Sequence, residues 1–258
     1  MGASQSLQSF LFLLSLLDAP LKIDLEKGKK EMKYFSVVMY LLRERQAFLE
    51  DIRKGVKLKS KILGLLISSF AFFAIYGAII GASSGLLQCL VSAIKLPALY
   101  LLTLIICFPT LYFFNVMFGS KRSFEQYLTL LMTAMGMISI LLFGFAPVTL
   151  FFMLSIRDYT FFLLLNLTIM GLTGFLGVNF FYQGMQFLSA EDDEIGKEIR
   201  FNILRFWLVL YAFVGTQLGW TLRPFFGSPG LSFQLFREQE SNFYLAIFEI
   251  ISRVLGFQ

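Results

Sequence analysis

The side chains in this sequence best placed to do chemistry are amides. Asn166, Asn179, Gln183 and Gln186 fall in one long apolar run, the last three at i, i+4 and i+7 and so on one helical face. Asn115 lies in a second run, and Asn202, Arg205 and Gln217 in a third. Uncharged amides at membrane depth have two uses. They line a small polar path, for which Asn115, Asn179, Gln183 and Gln217 are the candidates, or they hydrogen-bond across dry helix contacts. No Asp or Glu lies deep in any apolar run, which weighs against a proton-coupled pump. Glu125 stands at a helix start, where the helix dipole favours a carboxylate.

Other chemistries lack their residues. The chain has no histidine, which removes the commonest general base and metal ligand together. Its two cysteines, Cys89 and Cys107, fall at different depths of successive runs, too far apart for a disulfide, and read as buried or free thiols. The acidic loop Glu191-Asp192-Asp193-Glu194, with Glu198 beyond it, lacks the ligand spacing and turn glycine of a calcium site and reads as a solvated connector. There is no glycine-rich phosphate loop, nucleophile elbow or zinc ligand set. The expectation is a protein that is not an enzyme and holds no metal or cofactor.

The elements that position the amides follow from composition. Of 258 residues, 57% are hydrophobic, 17% aromatic and 15% charged, with a mean hydropathy of +0.72; a soluble domain carries roughly 25% charged residues. Five stretches, at 61–86, 95–118, 126–154, 159–188 and 201–221, are near or above the ~20 residues a membrane-spanning helix needs. The third and fourth exceed it, and Pro147 is placed to kink the third. The predicted fold is all-α, an integral membrane bundle of about five transmembrane helices.

Twelve of the 22 Lys and Arg lie between Lys22 and Lys61. That basic collar favours an anionic membrane surface over nucleic acid. Within it, 35–59 reads as one amphipathic helix with Val38, Leu41, Phe48, Leu49 and Ile52 on its apolar face, lying as an elbow along the cytoplasmic interface. With a cytoplasmic N-terminus the connectors divide 17 basic residues inside against 5 outside, which sets the orientation and puts the C-terminus on the far side. Residues 7–17 are too short to span and read as an interfacial or protein-docked helix. Met1 to Ser6 match a myristoylation pattern. The organisation is a basic amphipathic region over 1–60, a transmembrane domain over 61–221, and a far-side loop and amphipathic helix over 222–258. In the last of these, 241–257 is interfacial or re-entrant rather than a sixth span.

Two surfaces look built for close approach. Gly77, Gly81 and Gly85 recur every four residues in the first span, and Gly171, Gly174 and Gly177 form a small-residue face on the fourth, with Gly184 beyond. Such faces admit another helix backbone, either within the bundle or from a partner. Beyond the fifth span, Trp220 suits the membrane interface, and Arg223 suits a lipid headgroup, a partner carboxylate or backbone carbonyls.

The stretch from Ser68 to Gly81 and the segment from Gly219 to Gly230 resemble multi-spanning bacterial membrane proteins, cyanobacterial ones among them, that carry no activity to transfer. Five spans behind a cytoplasmic N-terminus are similar in architecture to the Yip type of trafficking protein, without its cytoplasmic Tyr-Gly motif. The elbow and the length are similar to small permease subunits of ABC exporters, which usually have six spans. Together these imply a bacterial inner or internal membrane, the thylakoid included. The expected function is a non-enzymatic membrane subunit or scaffold, with other membrane subunits, self-association and the bilayer as partners. The alternative is a permease or channel subunit moving a small or lipidic substrate along the amides.

Overall fold

The computed structural model describes residues 25–156, 158–189, 194–226 and 235, with backbone alone for 25–33 and 194–197. Seven α-helices and no strand occur among them. Helices α1 (Leu25–Arg43) and α2 (Arg45–Arg53) precede five long ones: α3 (Leu58–Ala82), α4 (Leu86–Met117), α5 (Phe124–Ser155), α6 (Tyr159–Leu188) and α7 (Glu194–Thr221). Each of α3–α7 is long and apolar enough to cross a membrane. The chain is a multi-pass helical membrane protein.

Helix α3 is the hub. It packs along α4 on one side and α5 on the other; α6 lies on α5, α7 lies on α4, and α1 lies along α3. Short polar signals separate the helices. Ser123 accepts from the Gln126 N–H while the Gln126 side chain accepts from the Ser123 N–H, a reciprocal cap that starts α5. Asp158 caps α6 through the N–H groups of Thr160 and Phe161.

The structure corrects two boundaries. The 35–59 segment is not one helix: α1 ends at Arg43, α2 runs from Arg45 to Arg53, and a turn follows in which Gly55 (φ 74°) and Lys57 (φ 52°) take left-handed conformations. That reversal folds α2 over the bundle end. The second span begins at Leu86, not near 95. Gly85, expected on the helical face of the first span, lies beyond it and precedes α4 at φ 130°, which only glycine adopts without strain. Polar Gln88, Ser92 and Lys95 make the first turns of α4 read as a connector, although at i, i+4 and i+7 they form one buried face.

The interfacial helix expected at 7–17, the acidic residues 191–193 and the segment 241–257 lie outside the described residues.

Candidate functional site

Buried polar side chains hydrogen-bond between helices at each end of the bundle and around Tyr76 inside it. At the elbow end, α2 lays Phe48, Leu49 and Ile52 against the bundle and turns Arg45 and Gln46 outward. Gln126 Nε2 donates to the carbonyls of Ile52 (3.0 Å) and Arg53 (2.7 Å), satisfying the end of α2. Beneath, Lys61 is 6% exposed and paired with Asp51 at 2.9 Å; it also donates to the Val56 carbonyl. That hydrogen bond and its charge hold the Asp51 carboxyl below the usual carboxylate range. The Tyr40 hydroxyl also donates to Asp51 (3.2 Å); burial first, and the Asp51 charge second, push its own pKa up. Across to α6, the Arg45 guanidinium lies 4.4 Å from the Phe180 ring centroid and donates to Gln183 Oε1 at 2.7 Å.

That contact locates two of the candidate path amides. Asn179 and Gln183 are exposed on the last turns of α6, joined to each other at 3.4 Å and to the elbow through Arg45. Helix α6 has 30 residues, about 45 Å at ~1.5 Å per residue against ~30 Å of hydrocarbon. The excess accommodates these polar turns at the elbow end. Asn115, in the last turn of α4, is buried and donates to the Leu111 carbonyl of its own helix at 2.8 Å. Gln217 lies near the opposite end of the bundle, in the last turns of α7. The four candidates do not come together.

Inside the bundle, one cluster joins three helices. The Tyr76 hydroxyl of α3 donates to Asn166 Oδ1 of α6 at 2.8 Å and meets Thr149 Oγ1 of α5 at 3.3 Å. Asn166 Nδ2 donates to the Phe162 carbonyl at 2.8 Å. All three residues are fully buried. With Tyr76 donating to Asn166, the Thr149 hydroxyl is left to donate to Tyr76, so each polar group has a partner. Asn166 is among the amides that the sequence singles out. Tyr76 and Thr149 are not, because a tyrosine or threonine in an apolar run carries no sign of its partner.

At the far end, the chain leaving α7 is clamped over the α3–α4 turn. Gln88 Nε2 donates to the carbonyls of Pro224 (2.8 Å) and Phe225 (3.3 Å), and Ser92 Oγ donates to Phe225. Ser83 and Ser84 donate to the Phe226 carbonyl, at 3.2 and 2.5 Å. Lys95, 6% exposed, donates to the Leu235 carbonyl. The Arg223 guanidinium lies 3.5 Å from the Trp220 ring centroid, so the two candidate contact residues act on each other. The spacing of Gln88, Ser92 and Lys95 is the one sequence signal for this clamp, and it is hidden by their resemblance to a connector.

The glycines divide. A Cβ on Gly77 would fall 2.4 Å from the Ser92 carbonyl oxygen, and one on Gly81 2.5 Å from that of Gln88, so these two lie against the α4 backbone. Gly177 faces Ile138 and Gly184 faces Leu130, both on α5. Gly85, Gly171 and Gly174 have nothing within 4 Å of that position. Cys89 and Cys107 are free, buried thiols.

No protein-family model matches this chain, and neither a curated protein nor a solved structure matches it.

Proposed function

We propose that this chain is a non-enzymatic structural subunit or scaffold of a membrane assembly. One observation carries the reading. The amides proposed for a path are dispersed between the two ends of the bundle, while buried Tyr76, Thr149 and Asn166, about two turns in from the far end, are closed on one another across helix contacts. Ser139 and Thr173 at mid-helix donate to carbonyls of their own helices. A conduit needs polar groups that face a common route; scaffolding needs a rigid bundle with polar groups held between helices. The exposed side of α6 around Gly171 and Gly174 is a place where a helix of another subunit can lie. The division of basic residues, 17 against 5, supports an elbow end in the cytoplasm and a C-terminus on the far side. The membrane in this reading is a bacterial inner or internal one.

Gentle detergent extraction of the native chain, followed by native mass and identification of copurifying proteins, tests this. Recovery in a stoichiometric larger complex is the expected result. Recovery with an ATPase would promote the permease reading instead. A lone monomer under conditions that preserve other complexes would overturn both partner readings.

A further inference from the structure

The basic residues of the elbow fall into two groups. Arg45, Arg53 and Lys61 are engaged within the chain, on Phe180, Phe187 and Asp51 respectively. Arg43, Lys54, Lys57 and Lys59 are exposed. Their acidic neighbours are few: Lys54 shares Glu50 with Arg53, and Lys59 reaches Glu125 only at 3.8 Å. From Arg43 to Lys61 the chain carries seven basic residues against three acidic ones.

Beside these cations runs an apolar stripe. Helix α1 turns Val38 and Leu41 inward, and leaves Phe35, Met39 and Leu42 on its other side at 40, 46 and 48% exposure. Val56, between Lys54 and Lys57, is 40% exposed. The stripe is continuous with the surface that lipid must cover. Phe35 meets Phe72 of α3 edge-on at 5.7 Å, and Phe72 meets Phe143 of α5 at 4.9 Å, itself exposed on the outside of a spanning helix. Helix α1 also runs antiparallel to α3 along this edge: Tyr40 lies by Lys61, Val37 by Gly64, and the Tyr34 carbonyl by Ser68.

We infer that this elbow is an anionic-lipid contact: Phe35, Met39 and Leu42 seat among acyl chains of the adjoining leaflet, while Arg43, Lys54, Lys57 and Lys59 pair with headgroup phosphates. Continuity with Phe143 is what commits the stripe to lipid rather than to a soluble partner. The cations supply the preference for negative headgroups. The inference does not rest on the subunit reading; a monomer would keep it.

The test uses the full chain in vesicles of phosphatidylcholine, with and without phosphatidylglycerol. A Met39→Cys variant, with Cys89 and Cys107 changed to alanine, carries an environment-sensitive fluorophore. Emission blue-shifted and quenched by nitroxides on lipid acyl chains is expected. Emission that stays water-like in both vesicles would overturn the inference and leave the stripe for an acidic soluble partner. The second measurement is the anionic lipid retained on gentle extraction. Lys54→Gln, Lys57→Gln and Lys59→Gln are each expected to lower it by about fivefold, with helicity unchanged. Retention equal to wild type in the triple variant would overturn the headgroup pairing.

Discussion

Helices α3 and α6 both carry glycines at helical spacing, and the structure uses them in opposite ways. On α3, Gly77 and Gly81 bring the α4 backbone so close that even a methyl group would collide with a carbonyl oxygen. On α6, Gly177 and Gly184 lie against the side chains of Ile138 and Leu130, while Gly171 and Gly174 face open space. The difference teaches that spacing selects a face but does not say what lies against it. A backbone contact cannot yield, a flexible side chain can, and open space asks nothing of the residue.

The largest effect is therefore expected at the α3–α4 crossing. Gly77→Leu or Gly81→Leu should force α4 away from α3 and lose about 3 kcal/mol, the upper end of overpacking costs because the obstruction is backbone. Equilibrium unfolding of the purified chain in mixed micelles reads this. Because the far-end clamp is built on Gln88 and Ser92 of the same α4 turns, proteolysis after Thr221 should also accelerate. Wild-type stability in both variants would mean that the crossing is looser than its geometry requires.

Gly177→Leu on α6 should cost less, about 1–2 kcal/mol, since Ile138 can change rotamer where a carbonyl cannot. The Tyr76, Thr149 and Asn166 cluster also ties α6 directly to α3, and through Tyr76 to α5. Asn166→Leu removes the acceptor for the Tyr76 hydroxyl and the donor to the Phe162 carbonyl, for an expected loss of about 1 kcal/mol, typical of hydrogen bonds between membrane helices. A loss of that size with quaternary structure intact would fit a role internal to the bundle. An unchanged stability would show that the hydroxyl finds water, and would reopen the case for a path.

How much of this is legible in the sequence follows from the same contrast. Five spans are readable because hydrocarbon demands some twenty apolar residues in a row, and no tertiary contact is needed to see that. The start of α4 is not, because Gln88, Ser92 and Lys95 look like a connector until the chain after Thr221 returns to bind them. Gly85 matches the four-residue spacing of Gly77 and Gly81, yet belongs to the turn, since periodicity continues in the letters after a helix has ended. Among the amides, Asn166 stands out without its partners; Asn179 pairs with Gln183 on its own helix, and Gln183 gains Arg45 only when the chain breaks after Arg43 and places Arg45 on α6.

The elbow offers a smaller, pH-dependent comparison with the neutral cluster inside the bundle. Asp51 has a folded pKa lowered by Lys61, so the stabilisation is present above the unfolded carboxyl value of about 3.9 and is lost as pH falls through the folded value. Acidification below about pH 4 should loosen α2, read as faster hydrogen exchange over Arg45–Arg53, while exchange around Asn166 stays slow. Asp51→Asn should bring the loosening to neutral pH at a cost of about 1 kcal/mol or less, because the pair is partly solvated. Equal response of both regions to acid would mean that the elbow and the bundle unfold together.

The smallest effect on the chain itself is expected at Gly171 and Gly174, and for that reason they are the informative positions for partners. Alanine at either meets nothing within 4 Å, and it lowers the backbone entropy of the unfolded chain, so the isolated protein should be unchanged or stabilised by up to about 0.5 kcal/mol. A helix of another subunit lying on this face would meet the new side chains directly. Gly171→Leu with Gly174→Leu should then leave detergent unfolding unaltered while the native mass falls to that of the single chain. If the complex survives the double substitution, its partners bind elsewhere on the bundle, and the open side of α6 is simply covered by lipid.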